Sequence, residues 1–319
     1  MKKICYNCFR SSRADCKFCQ FCGFPLNYSN QQDYKNTLPC GSILFGRYMI
    51  GRVLGQGGFG ITYLAFDYPS KKYVAIKEYY PRETARRADK TRVIPYNAQR
   101  VDGYKYGLRS FVEEAETLAK FTDNPYIVKV YRLFRENGTA YFVMDFIRGH
   151  SLAKILQARG GRLHWEEVMI LLNPIMRAMQ SVHSQKIIHR DIAPDNIVLA
   201  NDGTVKLLDF GAARYSMGKY SRSLDVILKR GFAPVEQYNR HGKQGPYTDI
   251  YAMAATIYVS ITGVIPPEST ERIENDRLIP PRKLGADIPE KSEKALLKAL
   301  SLKAEDRFST MAEFQNALL

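Results

Sequence analysis

The stretch IIHRDIAPDNIVLA, residues 187–200, sets Asp191 five positions ahead of Asn196, with His189 and Arg190 directly before the carboxylate. His, Arg, Asp and Asn at this spacing point to phosphoryl transfer. Yet beyond Arg190 the loop holds no positive charge: positions 193 and 195 are Ala and Asp. A cation for a polyphosphate has to come from elsewhere in the chain.

Two stretches nearer the N-terminus supply the surroundings. YMIGRVLGQGGFGITYLAF, residues 48–66, contains Gly55-x-Gly57-x-x-Gly60, with Gly58 inside it. A dinucleotide-binding loop of that pattern opens a helix. Here Gly60 runs into Ile61-Thr62-Tyr63-Leu64-Ala65-Phe66, β-branched and aromatic, so the glycines sit at a hairpin tip. A backbone bare of side chains can lie close over phosphate oxygens and donate its N–H groups. KKYVAIKEYY, residues 71–80, follows as a strand whose interior lysine is Lys77, a charge that is costly to bury unless it meets an anion.

With VAIK at 74–77, HRDxxxxN at 189–196 and DFG at 209–211, the chain resembles protein kinases, in particular the bacterial, eukaryotic-like (Hanks-type) Ser/Thr kinases, from about residue 44 to the C-terminus. The resemblance implies an α+β bilobal fold, with a β-rich N-lobe at 44–147 and a helical C-lobe at 148–319. It implies that Lys77 holds the α and β phosphates of ATP and pairs with a glutamate of SFVEEAETLAKF, residues 110–121, where Ser110-x-x-Glu113 reads as a capping box opening the helix. Alignment selects Glu114, with Glu113 as the alternative. In YFVMDFIRG, residues 141–149, Met144 would be the gatekeeper and Asp145 to Ile147 would offer backbone hydrogen bonds to adenine, while Thr62 and Ala75 would also line the nucleotide. Asp191 would accept or orient the substrate hydroxyl proton, and Asn196 and Asp209 would hold Mg2+, or Mn2+ in its place. Asp249 would brace the backbone around His189, and Glu236 of FAPVEQY would pair with Arg307 as a buried structural ion pair. WEEVMILLNPIMRAMQSVHS, residues 165–184, puts Val168, Leu171, Leu172, Ile175, Met176, Met179 and Val182 at helical spacing, and YAMAATIYVSITGVI, from residue 251, reads as a buried core helix.

One departure from the family is chemical. Ser/Thr kinases of the common type carry a lysine two residues after the catalytic aspartate, and this chain has Ala193. Where such kinases read Thr-Pro-Gly-Tyr in the activation segment, this chain reads Lys229-Arg230-Gly231-Phe232. The expectation is that Lys229 reaches Asp191 and the γ-phosphate in place of the absent lysine, because charge compensation is most of phosphoryl-transfer catalysis. Ser216, Tyr220, Ser221 and Ser223 are candidate phosphate acceptors in the same segment.

All six cysteines fall within the first 40 residues, and Cys5/Cys8 and Cys19/Cys22 form two C-x-x-C pairs. Two such knuckles can present four thiolates to one ion, a closed site that suits structural Zn2+. Cys16 also makes a C-x-x-C with Cys19 and is the alternative member. The module, residues 1–26, is a zinc ribbon by this reading, and the polar residues 27–43 read as a linker.

The formal charge of +15 is uneven. Residues 1–40 hold six Lys/Arg against two Asp, and residues 81–110 hold eight against three acids, so the ribbon and a basic, aromatic insert at 81–109 are candidate surfaces for an acidic protein or a nucleic acid. Protein substrates are the other expected partners. The N-terminus lacks the apolar region of a signal peptide and no apolar run is long enough for a membrane span, which points to the cytoplasm. Two readings from other classes stand beside the kinase: an ATP-binding pseudokinase scaffold, which Ala193 would fit, and a ribbon-mediated nucleic-acid-binding protein.

Overall fold

The computed structural model describes residues 2–210, 228–239 and 242–319, so that Gly211 and the candidate acceptors Ser216, Tyr220, Ser221 and Ser223 lie outside the described residues. The chain divides into two units, Met1–Ala119 with Lys129–Phe146, and Lys120–Val128 with Ile147–Leu319.

The first unit opens on a hairpin of β1 (Lys2–Ile4) and β2 (Ser11–Arg13), which carries the cysteine module, followed by a short helix α1 (Asn30–Asp33). Its main sheet is antiparallel and six-stranded, in the order β3 (Ile43–Leu44), β4 (Tyr48–Gln56), β5 (Gly60–Asp67), β6 (Lys72–Tyr79), β10 (Thr139–Asp145) and β9 (Val130–Glu136). β-branched and aromatic residues fill β5, β6 and β10, and six of the seven residues of β10 are buried, as a strand covered on both faces requires. The insert forms a hairpin of β7 (Ala85–Arg87) and β8 (Val93–Pro95) and then runs directly into helix α2 (Val101–Ala119).

That helix corrects the expected start at Ser110. Its buried residues Tyr104, Gly107, Ser110, Phe111, Glu114, Ala115 and Leu118 make one stripe at helical spacing from the first turn. Ser110 lies in the helix interior and its hydroxyl donates to the Tyr106 carbonyl at 3.3 Å, one turn back, so it caps nothing. Asn97 caps the preceding 3-10 turn instead. Gly103 and Gly107 weaken local helix propensity, and packing of the apolar stripe overrides them.

The segment 27–43 is tied to the sheet. Asn30 is fully buried, its Nδ2 donating to Leu38 O and to Gly51 O at 3.0 Å each and its Oδ1 accepting from Val53 N–H at 3.0 Å. Leu38 N–H donates to Tyr63 Oη at 3.0 Å.

In the second unit a small sheet of β11 (Gly149–Ser151), β12 (Ile197–Ala200) and β13 (Val205–Leu207) flanks the 187–200 loop. Helices α3 (Leu152–Ala158), α4 (Trp165–Ser184), α5 (Val235–Tyr238), α6 (Pro246–Thr262), α7 (Ser269–Glu274), α8 (Glu290–Ala299) and α9 (Met311–Leu318) make up the rest of its regular helices among the described residues. Six of the seven residues expected on the core face of α4 are buried, and Leu171 is half-buried. α6 is buried from Thr248 to Thr262, all the way round. Arg307 donates to Glu236 at 2.7 and 3.1 Å with its side chain fully buried, the structural ion pair that the sequence suggests.

Candidate functional site

In the first unit the glycines lie where β4 turns into β5. Gly57 N–H donates to Gly60 O at 2.9 Å and closes the hairpin. A side chain at Gly60 would meet Glu78 O at 2.7 Å, so that glycine is needed for packing, whereas nothing lies within 4 Å of the space a Cβ would take at Gly55 or Gly58. Those positions leave backbone uncovered, as a phosphate cradle demands. Thr62 pairs with both Gly55 and Lys77 across the ladders, and Ala75, buried, pairs with Met144 of β10. Lys77 Nζ lies 2.9 Å from Glu114 Oε1 and 5.4 Å from the centroid of the Phe142 ring. Of the two glutamates open at the sequence level, Glu114 is the one that faces the lysine, and it is buried. Asp145, at the end of β10, accepts a hydrogen bond from Tyr131 Oη.

In the second unit the loop is held from beneath by Asp249, a fully buried carboxylate near the start of α6. It accepts from His189 N–H and Arg190 N–H at 2.8 Å each, and from His183 Nε2 at 2.8 Å. Burial works to raise its carboxyl, but the hydrogen bonds from His183 and from the Arg190 N–H hold it below the usual carboxylate range. Arg190 takes φ of 69°, strained for a non-glycine residue, and its N–H bond to Asp249 together with the Gln237 Nε2 bond to its carbonyl at 3.0 Å helps to hold it there. His189 Nε2 donates to Leu208 O at 2.9 Å while its Nδ1 accepts from Asp191 N–H at 3.3 Å. Both nitrogens are satisfied only in the neutral tautomer, and burial pushes the imidazole below its ordinary value.

Above this base, Asn196 Nδ2 donates to Asp191 O at 2.8 Å and to Asp191 Oδ2 at 2.6 Å. With Nδ2 committed, the amide oxygen is the atom that could ligate a hard cation, and together with the Asp209 carboxylate it makes an oxygen donor set that fits Mg2+. Leu208 N–H donates to Asn196 O at 2.7 Å, tying Asp209 to the loop through its chain neighbour. Phe210 packs on His189 with ring centroids 4.5 Å apart. Lys229 Nζ lies 4.0 Å from Asp191 Oδ1 and 3.6 Å from Asp195 Oδ2, its side chain mostly buried. Phe232 N–H and Ala233 N–H both donate to Lys229 O, at 3.0 and 3.1 Å, which fixes the backbone that carries it. Ile147 also belongs to this unit, as the first residue of its second segment.

The thiols of Cys5, Cys8, Cys19 and Cys22 lie within 4.8 Å of one another, and Cys16 is outside the set. Cys5 and Cys22 Sγ are 3.6 Å apart and Cys8 and Cys19 Sγ 3.5 Å, close to the edge of about 3.8 Å that a Zn–S bond of about 2.3 Å gives a tetrahedron. Ser12 Oγ donates to Cys19 Sγ at 3.4 Å and Asn7 Nδ2 to Cys22 Sγ at 3.7 Å, outer bonds of the kind that hold metal thiolates. Burial works to raise the Cys19 thiol, but the hydrogen bonds from Ser12, the Phe21 backbone and Cys8 bring it down to about 6. The donor set fits zinc.

The protein kinase domain pattern matches residues 48–317. The chain belongs to the protein kinase family. It is 31% identical over 264 residues to serine/threonine-protein kinase F of Synechocystis sp., covering 77% of this chain and 47% of that protein. It is 29% identical over 282 residues to serine/threonine-protein kinase PrkC of Bacillus subtilis, covering 86% of this chain and 40% of that one. The chain thus spans about half or less of the length of these relatives. Among solved structures, the apo form of PpkA-294 shares 37% identity with a TM-score of 0.80, covering 89% of this chain and all of that one.

One cluster escapes a reading of motifs. Glu78, fully buried and next to Lys77 on β6, accepts from Tyr63 Oη at 2.9 Å, Tyr141 Oη at 2.7 Å and Arg87 Nη2 at 2.7 Å. Arg87 comes from the insert and also donates to Asn36 O at 2.9 Å. The strand alternation carried a signal: Lys77 and Glu78 are consecutive, so both faces of β6 hold a charge and each requires a partner.

Proposed function

We propose that the chain is an ATP-dependent protein kinase that phosphorylates serine and threonine hydroxyls, its own activation segment among them. The observation that carries the reading is the Asp191–Asn196 pair on a strained loop braced by Asp249, with Lys77 paired to a buried Glu114 in the other unit. Lys77 binds the phosphates, and Glu114 fixes its ammonium. The backbone at Gly55, Gly57, Gly58 and Gly60 covers the phosphates; Thr62, Ala75, Met144, Asp145 and Ile147 line the rest of the nucleotide. Asp191 orients the substrate hydroxyl and takes its proton. Asn196 and Asp209 would hold Mg2+, which when bound neutralises phosphate charge. Lys229 offsets the negative charge that gathers at the transferred group, and Cys5, Cys8, Cys19 and Cys22 hold one structural Zn2+. In this reading residues 1–26 are the ribbon, 27–43 its connection, 44–147 the N-lobe with the insert at 81–109, and 148–319 the C-lobe.

Among the described residues no helix is long and apolar enough to cross a membrane. The test is phosphosite mapping by mass spectrometry after incubation with Mg-ATP and a generic protein substrate, for wild type and Asp191→Asn. Phosphoserine or phosphothreonine formed by wild type and absent from the variant is the expected result. A wild type that binds nucleotide but transfers no phosphate would leave a scaffold rather than an enzyme.

A further inference from the structure

Strand β4 leads into the glycine hairpin, and the sheet does not carry its middle. Its ladder with β5 shifts register between Ile50 and Val53, and again between Val53 and Gly55. Backbone groups in such a break need other partners. They find them in the cysteine module and the segment behind it. Arg52 N–H donates to Tyr6 O at 3.0 Å, while Asn30 serves Gly51 O and Val53 N–H on either side. Tyr6 and Asn7 are the two residues between Cys5 and Cys8, so the contact is made by the knuckle itself.

Side chains extend the contact. Arg52 Nε donates to Asn7 Oδ1 at 2.7 Å, and the same amide donates to Cys22 Sγ, linking the strand to a thiol of the second pair. Phe9 stacks on Phe66 with centroids 5.5 Å apart, and Tyr73 Oη donates to Cys8 O at 2.9 Å. Gly51 admits the knuckle, since a Cβ there would lie 2.4 Å from Tyr6 O and 2.7 Å from the Phe9 ring.

We propose that the Cys5–Cys8 knuckle is a positioning element for the nucleotide-binding hairpin and that Arg52 is the positioning residue through which it acts. The proposal rests on the reading of the chain as an ATP-dependent kinase. Arg52 stands three residues before Gly55, so its backbone sets where β4 delivers the glycines. A folded knuckle closes the break in the ladder and holds the hairpin in one register. Without it, the N–H of Arg52 loses its acceptor and the guanidinium its anchor. The signature belongs in nucleotide affinity rather than turnover, because Asp191 and Lys229 are carried by the second unit.

The experiment uses the full chain with zinc content measured for each sample. Mg-ADP affinity is read by calorimetry, and KM for ATP and kcat by steady-state kinetics, for wild type, Arg52→Ala, Arg52→Lys and Asn7→Ser. Arg52→Ala and Asn7→Ser should weaken Mg-ADP binding and raise KM about threefold to tenfold, the range that loss of one hydrogen bond gives, with kcat within about twofold and, for Arg52→Ala, zinc retained. Arg52→Lys, which can still donate to Asn7, should recover most of the affinity. Unchanged affinity in both weakened variants overturns the proposal. So does a parallel fall in kcat and affinity with a lowered melting temperature, which would mark a purely structural contact. If Arg52→Ala does not fold, Asn7→Ser, which leaves the strand sequence intact, decides by the same criteria. A wild type that binds no Mg-ADP would instead sink the kinase reading, and the proposal with it.

Discussion

At the scale of single residues the site turns on two positions. Lys229 is a cation that the structure sets 4.0 Å from Asp191, and Ala193, where the family's lysine would stand, is fully buried. If Lys229 supplies the missing charge, Lys229→Ala should lower kcat about a hundredfold or more, the usual size of one lost transition-state donor, and Lys229→Arg should keep much of it. Steady-state turnover at saturating ATP measures this, and an alanine variant with wild-type kcat would remove Lys229 from the mechanism. His189 sets a pH limit. Its neutral tautomer is fixed by Leu208 O and Asp191 N–H, and burial holds its proton affinity below the ordinary value of 6.5. Between the folded and unfolded values the unfolded chain binds more protons, so the contribution is complete above pH 6.5 and is lost as pH falls below it. Melting temperature measured from about pH 7.5 down to about pH 5.5 should therefore fall more steeply for wild type than for His189→Gln. Equal slopes would show that the imidazole does not control acid stability.

At the scale of elements, the buried Glu78–Arg87 pair joins the insert hairpin to the strand that carries Lys77. Arg87→Met leaves a carboxylate buried beside two tyrosines, and should cost about 3–5 kcal/mol of stability in urea denaturation. Adding Glu78→Gln removes the stranded charge and should restore most of the loss. A single variant as stable as wild type would mean that the insert is not anchored here. The sequence made the motif-bearing elements legible because each has a local cause: glycines before a β-branched run, a lysine inside a strand, an amphipathic stripe in α4. It misplaced the start of α2 because Ser110-x-x-Glu113 mimics a cap, while the tertiary packing of Tyr104 and Phe111 that extends the helix backwards has no local mark. Likewise Asn30 reads as one more polar residue in a linker, and only the broken ladder at Gly51–Val53 gives it a reason to be buried. Partners that are distant in sequence, such as Arg52 with Asn7, leave no trace in spacing.

At the scale of the whole molecule, the first unit joins two parts with very different sources of stability. The sheet and α2 bury a large aromatic and aliphatic core. Among the described residues the hydrophobic cluster of the cysteine module is Cys5, Cys19 and Leu26, with Cys8, Cys16 and Phe24 packed against them, too little to order two dozen residues against their conformational entropy. The proposed zinc would supply the difference, as a metal does wherever a small domain folds around its ion. The purified chain should therefore carry one zinc, and Cys16→Ser should keep it while Cys19→Ser loses it, because Cys16 lies outside the four-thiol set. Chelation should lower the melting temperature and restoration of zinc should recover it, as expected of a ligand bound only by the folded state. Because Tyr6 and Asn7 bond Arg52 of β4, the loss should reach the main sheet, and amide exchange at Gly51–Val53 should quicken along with exchange in the module. Faster exchange confined to residues 1–26 would mean that the ribbon unfolds without disturbing the strand it sits on.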